Sequence, residues 1–301
     1  MTIQDRIKEL KQEKNAIILV HNYQLPEVQA IADYLGDSLG LSLQAAQTKA
    51  DLIVFCGVYF MAETAKILSP EKTVIIPEPG AGCPMADTIT PREMQELKKQ
   101  HPEAHGLCYV NTSAAVKAEC DIACTSANAL SVVQKGLTHA KSIIFVPDKY
   151  LAHYISTQTG RDFITWEGYC PVHAGILPQH ILEKKRLHPQ AEILVHPECR
   201  PEVAELADYV LSTEGMCRRA KASPAQEFIV GTEVGILHRL IRENPGKQFI
   251  PASEEAICPD MKKITLEKVL LSLEAETPKV ELSKEVISRA QKSIERMLQF
   301  A

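Results

Sequence analysis

Three cysteines of this chain are spaced so regularly that they indicate a shared chemical role. Cys83, Cys170 and Cys258 are 87 and 88 residues apart, and each precedes a proline. Thiolates bind soft metals and iron–sulfur clusters, so one cysteine from each of three similar units would form a three-legged metal site. A lone buried cysteine is more often a core residue, but the shared proline and interval favour ligands. A fourth coordination position would then lack a protein thiolate.

The other six cysteines lack this pattern, and core packing is the better interpretation for them. Cys120 and Cys124 could mimic a ligand pair, but they lie on the second predicted strand of a repeat, and we do not assign them to a metal. The remaining four are Cys56, Cys108, Cys199 and Cys217. An odd number of cysteines without an export signal favours reduced thiols over a disulfide framework.

Composition is typical of a soluble intracellular enzyme. The 301 residues are 45% hydrophobic and 24% charged, which is enough to bury a sizeable core. A net charge of −5, with no basic stripe, argues against a nucleic-acid partner. Residues 2–14 are charged and amphipathic, and no apolar run approaches the about 20 residues that span a bilayer. We therefore expect a cytoplasmic protein with no membrane segment.

A second repeated pattern has the same period as the cysteines. The segments 33–38, 121–126 and 208–213 each place a hydroxyl residue five positions after an aspartate. Length alone suggests about two domains, but this pattern predicts three repeated α/β units. We place the units at 1–87, 88–174 and 175–262, with helices over 263–301 packed with the first unit.

Short β-rich runs alternate with helical patterns in every unit, which predicts parallel sheets flanked by helices. Three of the predicted strands, 16–22, 106–112 and 191–198, end in polar residues. Since the carboxyl ends of parallel strands share one edge of a sheet, and ligands bind there, residues after strands are the candidates for chemistry. Besides the three Cys-Pro cysteines they are His21, Tyr23, Ser38, Tyr109, Asn111, Ser126, His196, Glu198, Ser212 and Thr213.

Hydroxyl side chains at strand-to-helix junctions can bind phosphate or carboxylate together with helix N-terminal amides. Ser38, Ser126 and the Ser212-Thr213 pair occupy this junction in the three units. For one such residue a helix cap without a ligand is the better interpretation. Threefold placement near the cysteine edge favours anion binding. Arg218, Arg219 and Lys221 follow the third junction, and for them surface charge and anion binding remain equal alternatives.

Several motifs in order along the chain resemble the quinolinate synthases, over essentially its whole length. They are HNYQLPEVQAIADYLGDSL, FCGVYFMAETAKIL, GAGCPMAD, YVNTSAAVKAECD, GYCPVH, HPEC and CPDMKKITLE. The resemblance implies a triangle of three related α/β domains around a 4Fe-4S cluster bound by Cys83, Cys170 and Cys258. It implies condensation of iminoaspartate with dihydroxyacetone phosphate to quinolinate, for NAD biosynthesis, with possible coupling to L-aspartate oxidase. The C-terminal C-x-x-C of long members is absent, so redox control through it is not expected.

That chemistry requires proton transfers, for which the sequence offers polar pairs after the first predicted strand of each unit. We expect Glu198 to be the general base, with His196 beside it to orient substrate or carry a proton. The same spacing of two residues recurs for His21 with Tyr23 and for Tyr109 with Asn111. It would put both members of a pair on one side of an extended strand. His173, three residues after Cys170, is also matched by the family and is expected near the open iron.

Three alternatives remain. A radical enzyme like the diphthamide-forming proteins would also bind a cluster with one cysteine from each of three repeats, but it would need an adenosylmethionine site. An electron carrier or structural metal protein would leave the polar pairs unexplained. A sugar-phosphate isomerase without a cluster would make the cysteines inert core residues, and iron and sulfide analysis would identify it.

Overall fold

A computed structural model describes residues 2–301 of the chain, and its first third forms one parallel sheet. The strand order is β2-β1-β3-β4, and every pairing is parallel. β1 and β3 are mostly buried, as expected of parallel strands covered by helices on both faces. The elements are α1 (Ile3–Glu13), β1 (Ala16–His21), α2 (Pro26–Gln29), β2 (Tyr34–Gly36), α3 (Ser38–Gln47), β3 (Leu52–Cys56), α4 (Tyr59–Leu68) and β4 (Thr73–Ile75).

The second sheet has the corresponding order β6-β5-β7-β8, again with parallel pairings. A single 3-10 turn, Ala86–Thr88, precedes it, and a π-helical turn, Val132–Gly136, follows its third helix. The elements are α5 (Pro91–Gln100), β5 (Ala104–Tyr109), α6 (Ala114–Lys117), β6 (Ile122–Cys124), α7 (Ala129–Ser131), β7 (Ser142–Val146), α8 (Lys149–Thr159), β8 (Ile164–Thr165) and α9 (Pro171–Ala174).

The third sheet repeats the order as β10-β9-β11-β12. Its elements are α10 (Pro178–Leu187), β9 (Glu192–Val195), α11 (Pro201–Ala204), β10 (Tyr209–Val210), α12 (Thr213–Ala222), β11 (Glu227–Gly231), α13 (Ile236–Glu243) and β12 (Gln248–Pro251), followed by the 3-10 turn Met261–Lys263. Three parallel α/β sheets of one topology confirm the predicted fold class. Each predicted unit contains one complete sheet, whereas the boundaries at residues 87, 174 and 262 stay a prediction.

The three sheets contact one another in a closed triangle. Glu63 of α4 accepts a hydrogen bond from the amide of Ala114 in the second unit (2.9 Å). The hydroxyl of Tyr109 donates to Glu198 in the third unit (2.5 Å). The third unit returns to the first, where Asn22 donates to the hydroxyl of Thr213 (2.9 Å). The carboxyl ends of the strands that carry these residues therefore face a common centre.

Two C-terminal helices complete the molecule. They are α14 (Leu266–Ala275) and α15 (Lys284–Leu298). α14 packs on α1, whereas α15 lies across α4, α6 and β6 and so covers the first and second units together. Between them, Lys279 pairs antiparallel with Ile75 at the edge of the first sheet. None of the helices within residues 2–301 combines the length and the apolar character needed to cross a membrane.

The three repeated aspartates have a structural role, which explains why each unit has an aspartate at the same position. The carboxylates of Asp33, Asp121 and Asp208 each accept a hydrogen bond, at 2.8 Å, from a backbone amide of the first strand or its start. The amide of each aspartate donates back to the carbonyl of the same residue, at 2.8–3.0 Å. This reciprocal pair fixes the second strand beside the first, and thereby positions the hydroxyl residues that follow.

We predict that Asp208→Ala lowers the free energy of unfolding by about 1–2 kcal/mol, because the amide of Ile193 loses its side-chain acceptor. Urea denaturation followed by circular dichroism measures the change. Glu205→Ala is the control, since Glu205 is exposed and has no side-chain hydrogen bond in the described chain. Equal stability of the Asp208 variant and the control would contradict this role.

Candidate active site

One cavity of about 130 Å³ lies where the three sheets meet. All three Cys-Pro cysteines line it, and so do nearly all the other residues that the sequence predicts. These are His21, Tyr23, Ser38, Tyr109, Asn111, Ser126, His173, His196, Glu198 and Thr213. Ser212 does not line the cavity, because its hydroxyl caps α12 by accepting a hydrogen bond from the amide of Gly215 (3.2 Å).

The Cys-Pro dipeptides share a local structure that holds each sulfur at the start of a turn. Cys170 is the N-cap of α9 and Pro171 its first residue, where the missing proline N–H leaves no lost hydrogen bond. The backbone amide three residues after each cysteine lies near its sulfur and favours the thiolate, although α9 has no side-chain cap hydrogen bond from Cys170. These amides belong to Ala86, His173 and Met261. The dipeptide thus directs a thiol into the cavity from the end of a short helical turn.

The thiols have few charges nearby to stabilise a thiolate. Burial raises the pKa of Cys83 to about 12 and raises those of Cys170 and Cys258 as well, while the turn amides oppose the shift. Each sulfur is therefore protonated near neutral pH unless a cation replaces the proton. Three convergent thiols of this kind are a suitable donor set for a soft metal centre. The chemistry of the residues present fits an iron–sulfur cluster with three cysteine ligands.

A second potential ligand group overlaps the first. Ligand atoms of Cys170, His173 and Glu198 all lie within 4.8 Å of one another. His173 Nδ1 lies 3.2 Å from the Cys170 sulfur and 2.9 Å from Glu198 Oε2. The imidazole and carboxylate already interact with each other, so this group could hold a single ion only by giving up that contact.

Glu198 is the most connected side chain of the cavity. It is buried, and its carboxylate contacts His173 through one oxygen and the Tyr109 hydroxyl, at 2.5 Å, through the other. Burial alone would raise the pKa of Glu198, but His173, His196 and the Tyr109 hydrogen bond outweigh it and lower the pKa to about 2. Glu198 is therefore ionised, as a proton acceptor must be.

A chain of hydroxyl and imidazole groups links Glu198 to the first unit. Thr232 Oγ1 lies 2.8 Å from His173 Nε2 and 2.6 Å from the Tyr23 hydroxyl. Burial raises the pKa of Tyr23 and of Tyr109, so both phenols stay protonated and can donate hydrogen bonds. The ionised carboxylate of Glu198 is therefore connected through imidazole and hydroxyl groups to a protonated phenol.

His21 and His196 occupy equivalent places in the first and third units, and both are uncharged. Burial is the main reason why the pKa of each falls to about 3. His21 Nδ1 accepts a hydrogen bond from the amide of Tyr23 (3.2 Å), and His196 Nδ1 faces the amide of Glu198 (3.4 Å). His196 Nε2 lies 3.2 Å from the Ser126 hydroxyl. A tight turn, rather than the extended strand that we expected, brings each pair together.

At two of the strand-to-helix junctions, the hydroxyl residue in the cavity comes one position after the residue that caps the helix. Asp37 and Ser212 are the N-caps of α3 and α12, and the next residues, Ser38 and Thr213, line the cavity. These two hydroxyls sit at the first turn of a helix, where backbone amides and the helix dipole favour an anion. Ser126 lies in a loop of the second unit. The basic residues after the third junction do not line the cavity, and Arg219 instead pairs with Glu192 (2.8 Å).

The sequence interpretation missed several residues of the cavity. Thr125 and Asp37 precede predicted hydroxyls, and Asp260 follows Cys258. Glu233, which lines the cavity, and Thr232, which contacts His173 and Tyr23, follow β11, the third strand of its sheet, whereas we drew candidates mainly from the first two strands of each unit. The strand-end rule, applied to every strand, would have found them.

We predict that His21→Gln makes the protein less sensitive to mild acid. The folded chain holds His21 with a pKa of about 3, below its usual 6.5, so below about pH 6.5 the unfolded chain binds a proton that the folded chain excludes. Stability is therefore lost as pH falls, by up to about 1.4 kcal/mol per pH unit for one histidine. Thermal unfolding between about pH 7.5 and pH 5 should show a smaller decrease for the variant. The exposed His105→Gln is the control, and an unchanged acid response of the His21 variant would contradict the prediction.

Comparison with known proteins agrees with this geometry. The family described as "Quinolinate synthetase A protein" matches residues 5–299. A protein of Methanosarcina barkeri named quinolinate synthase is 53% identical over 98% of this chain and 96% of its own length. Proteins of the same name from Dehalococcoides mccartyi strain 195 and Pyrobaculum aerophilum are 53% and 49% identical, over 98% and 99% of this chain and 97% and 100% of theirs. The chain belongs to the quinolinate synthetase A family.

Proposed function

We propose that the protein is a quinolinate synthase that condenses iminoaspartate with dihydroxyacetone phosphate to give quinolinate, phosphate and two waters, for NAD biosynthesis. The observation that carries the proposal is the convergence, in a member of this family, of three thiols and the ionised carboxylate of Glu198 on a single cavity. Imine formation, enolisation and dehydration each need a proton acceptor and a protonated donor near the same carbon skeleton. Glu198 and the two buried phenols, Tyr23 and Tyr109, supply them.

Cys83, Cys170 and Cys258 are the residues that would hold a 4Fe-4S cluster. Such a cluster with one open iron supplies a Lewis acid that polarises a substrate hydroxyl or carbonyl toward elimination. The low-polarity cavity wall, which includes Phe60 and Met61, excludes water and strengthens every electrostatic contact inside. Reduced thiols are required for ligation, and all nine cysteines are free, in keeping with a cytoplasmic location.

The remaining roles follow from position and protonation state. Ser38, Ser126 and Thr213 would bind the phosphate or carboxylate groups, assisted by helix N-terminal amides at two of the three sites. His21 and His196 are neutral and orient polar substrate atoms without adding charge, with Asn111 beside them on the wall. Glu198 would accept a proton from substrate carbon, and His173 steadies the carboxylate through the 2.9 Å contact. An enzyme that oxidises L-aspartate would supply the unstable imine, which favours coupling to L-aspartate oxidase.

We predict quinolinate formation in an anaerobic assay of the reconstituted protein with dihydroxyacetone phosphate and freshly generated iminoaspartate. Chromatography with mass detection measures the product, and iron and sulfide analysis measures the cluster. Cys170→Ala should lose both, while Cys217→Ala, which alters a buried cysteine outside the cavity, should keep both. No quinolinate from cluster-replete protein would overturn the proposal.

We predict that Glu198→Gln keeps the iron and sulfide content but lowers kcat by about 10²–10⁴, the usual loss when a general base is removed. The amide keeps the shape of the side chain and loses its proton affinity. Steady-state kinetics under nitrogen measure the effect, with Glu202→Gln as the control because Glu202 is exposed on α11. Full turnover by the Glu198 variant would exclude it as the base.

A further inference from the structure

Two buried carboxylates have no role in the chemistry above, and of these Glu233 lines the cavity whereas Asp148 does not. Asp148 follows β7 and Glu233 follows β11, each two residues beyond the end of the third strand of its sheet. Both side chains are fully buried, with 0% of the residue surface exposed. A buried carboxylate is costly unless several donors meet its charge. The hydrogen-bond donors around Asp148 and Glu233 therefore indicate the role of these two carboxylates.

Glu233 holds the backbone of a predicted cluster ligand. Its Oε1 accepts a hydrogen bond from the amide of Cys258 (3.1 Å) and lies 2.8 Å from the ammonium of Lys262. Its Oε2 accepts a hydrogen bond from the amide of Gly235 (2.7 Å). The side chain thus ties the turn that carries Cys258 to the end of β11.

Asp148 occupies the equivalent position behind the second ligand, but within residues 2–301 no hydrogen bond joins its carboxylate to the amide of Cys170. Its Oδ1 accepts hydrogen bonds from the amides of Tyr150 and Leu151, both at 2.8 Å, and so caps α8. Its Oδ2 is buried and accepts no hydrogen bond of normal length within residues 2–301. The backbone amide of Cys170 faces this carboxylate. The second oxygen is therefore free to receive that amide.

The backbone around these positions is the same in all three units. The residue after each carboxylate, Lys149 or Val234, donates its amide to the carbonyl two residues before the cysteine, at 2.9 and 3.0 Å. In the first unit Tyr59 makes the equivalent bond to Ala81 (2.8 Å). The residue of the first unit equivalent to Asp148 and Glu233 is therefore Val58. Val58 is the N-cap of α4 and makes no side-chain cap hydrogen bond. The same backbone arrangement therefore places a carboxylate behind Cys170 and Cys258 and an apolar side chain behind Cys83.

We propose that Asp148 and Glu233 are positioning residues that fix Cys170 and Cys258 for the cluster, while Cys83 is fixed without such help. The inference rests on the proposed function, because it assumes that these cysteines hold a cluster. A cluster with three ligands stays bound only if its sulfurs keep their relative positions. A carboxylate that accepts the amide of the ligand residue restrains the turn, in the way that outer groups restrain metal ligands in general.

The alternative is that both carboxylates only cap helices. Glu63 provides the matched control, since it is also buried and accepts one amide, that of Ala114 (2.9 Å), but it does not line the cavity that holds the cysteines. Asp148→Asn and Glu233→Gln keep one oxygen for the capping amide and replace the other with an NH₂ group, which cannot accept the cysteine amide. Glu63→Gln makes the same chemical change away from the ligands.

The first measurement is cluster loss from the full-length, anaerobically reconstituted protein in the presence of an iron chelator, followed by visible absorbance and by iron and sulfide content. We expect Asp148→Asn and Glu233→Gln to lose the cluster about ten times faster than wild type, the lower end of the usual effect of removing an outer partner. Glu63→Gln should lose it at the wild-type rate. Equal rates for all four proteins, or the same acceleration in Glu63→Gln, would overturn the inference.

The second measurement is hydrogen–deuterium exchange of the cluster-free protein by mass spectrometry. Asp148→Asn should increase exchange in the segment with Cys170, and Glu233→Gln in the segment with Cys258. The segment with Cys83 is the internal control and should exchange as in wild type in both variants. Exchange that rises equally in all three segments would mean general destabilisation and overturn the inference. Wild-type protein that binds no iron would instead overturn the proposed cofactor, and the inference with it.

Discussion

The arrangement of the centre depends on how one buried negative charge is compensated. Glu198 comes from the third unit, while the groups that contact its two oxygens, His173 and Tyr109, come from the second. Thr232 then connects His173 to Tyr23 of the first unit. Burying a carboxylate without such partners would cost several kcal/mol, so the meeting of the three sheets and the ionisation of Glu198 stabilise each other. The contacts that order the interface also keep this carboxylate ionised.

The described residues that line the cavity are neutral side chains and carboxylates, and they include no lysine or arginine. His21 and His196 are uncharged, the phenols keep their protons, and Arg219 and Arg239 are paired with glutamates elsewhere. Such a cavity offers an anion dipoles, such as helix amides and hydroxyls, rather than cationic side chains.

The sequence predicted the fold class and most of the cavity because two simple rules apply three times over. Parallel strands bring their carboxyl ends to one edge, which placed His21, Tyr109 and Glu198 together, and the common period identified the three cysteines. The sequence was less informative about details that change when a residue moves by one position along the chain. Ser212 and Thr213 look alike in sequence, yet one caps α12 and the other lines the cavity. The amphipathic pattern of α15 indicates one buried face but not that this face covers two units.

The pairing of Lys279 with Ile75 has a consequence for the chain as a whole. The last segment adds to the sheet that the first segment began, and α14 rests on α1, so neither end of the chain belongs to a terminal repeat. Linear repeat arrays need special end repeats and can fray from them. A ring has no such ends, and every repeat here is supported on both sides. Pro84, Pro171 and Pro259 line the central cavity and are exposed, so the closed ring meets solvent at its three Cys-Pro turns.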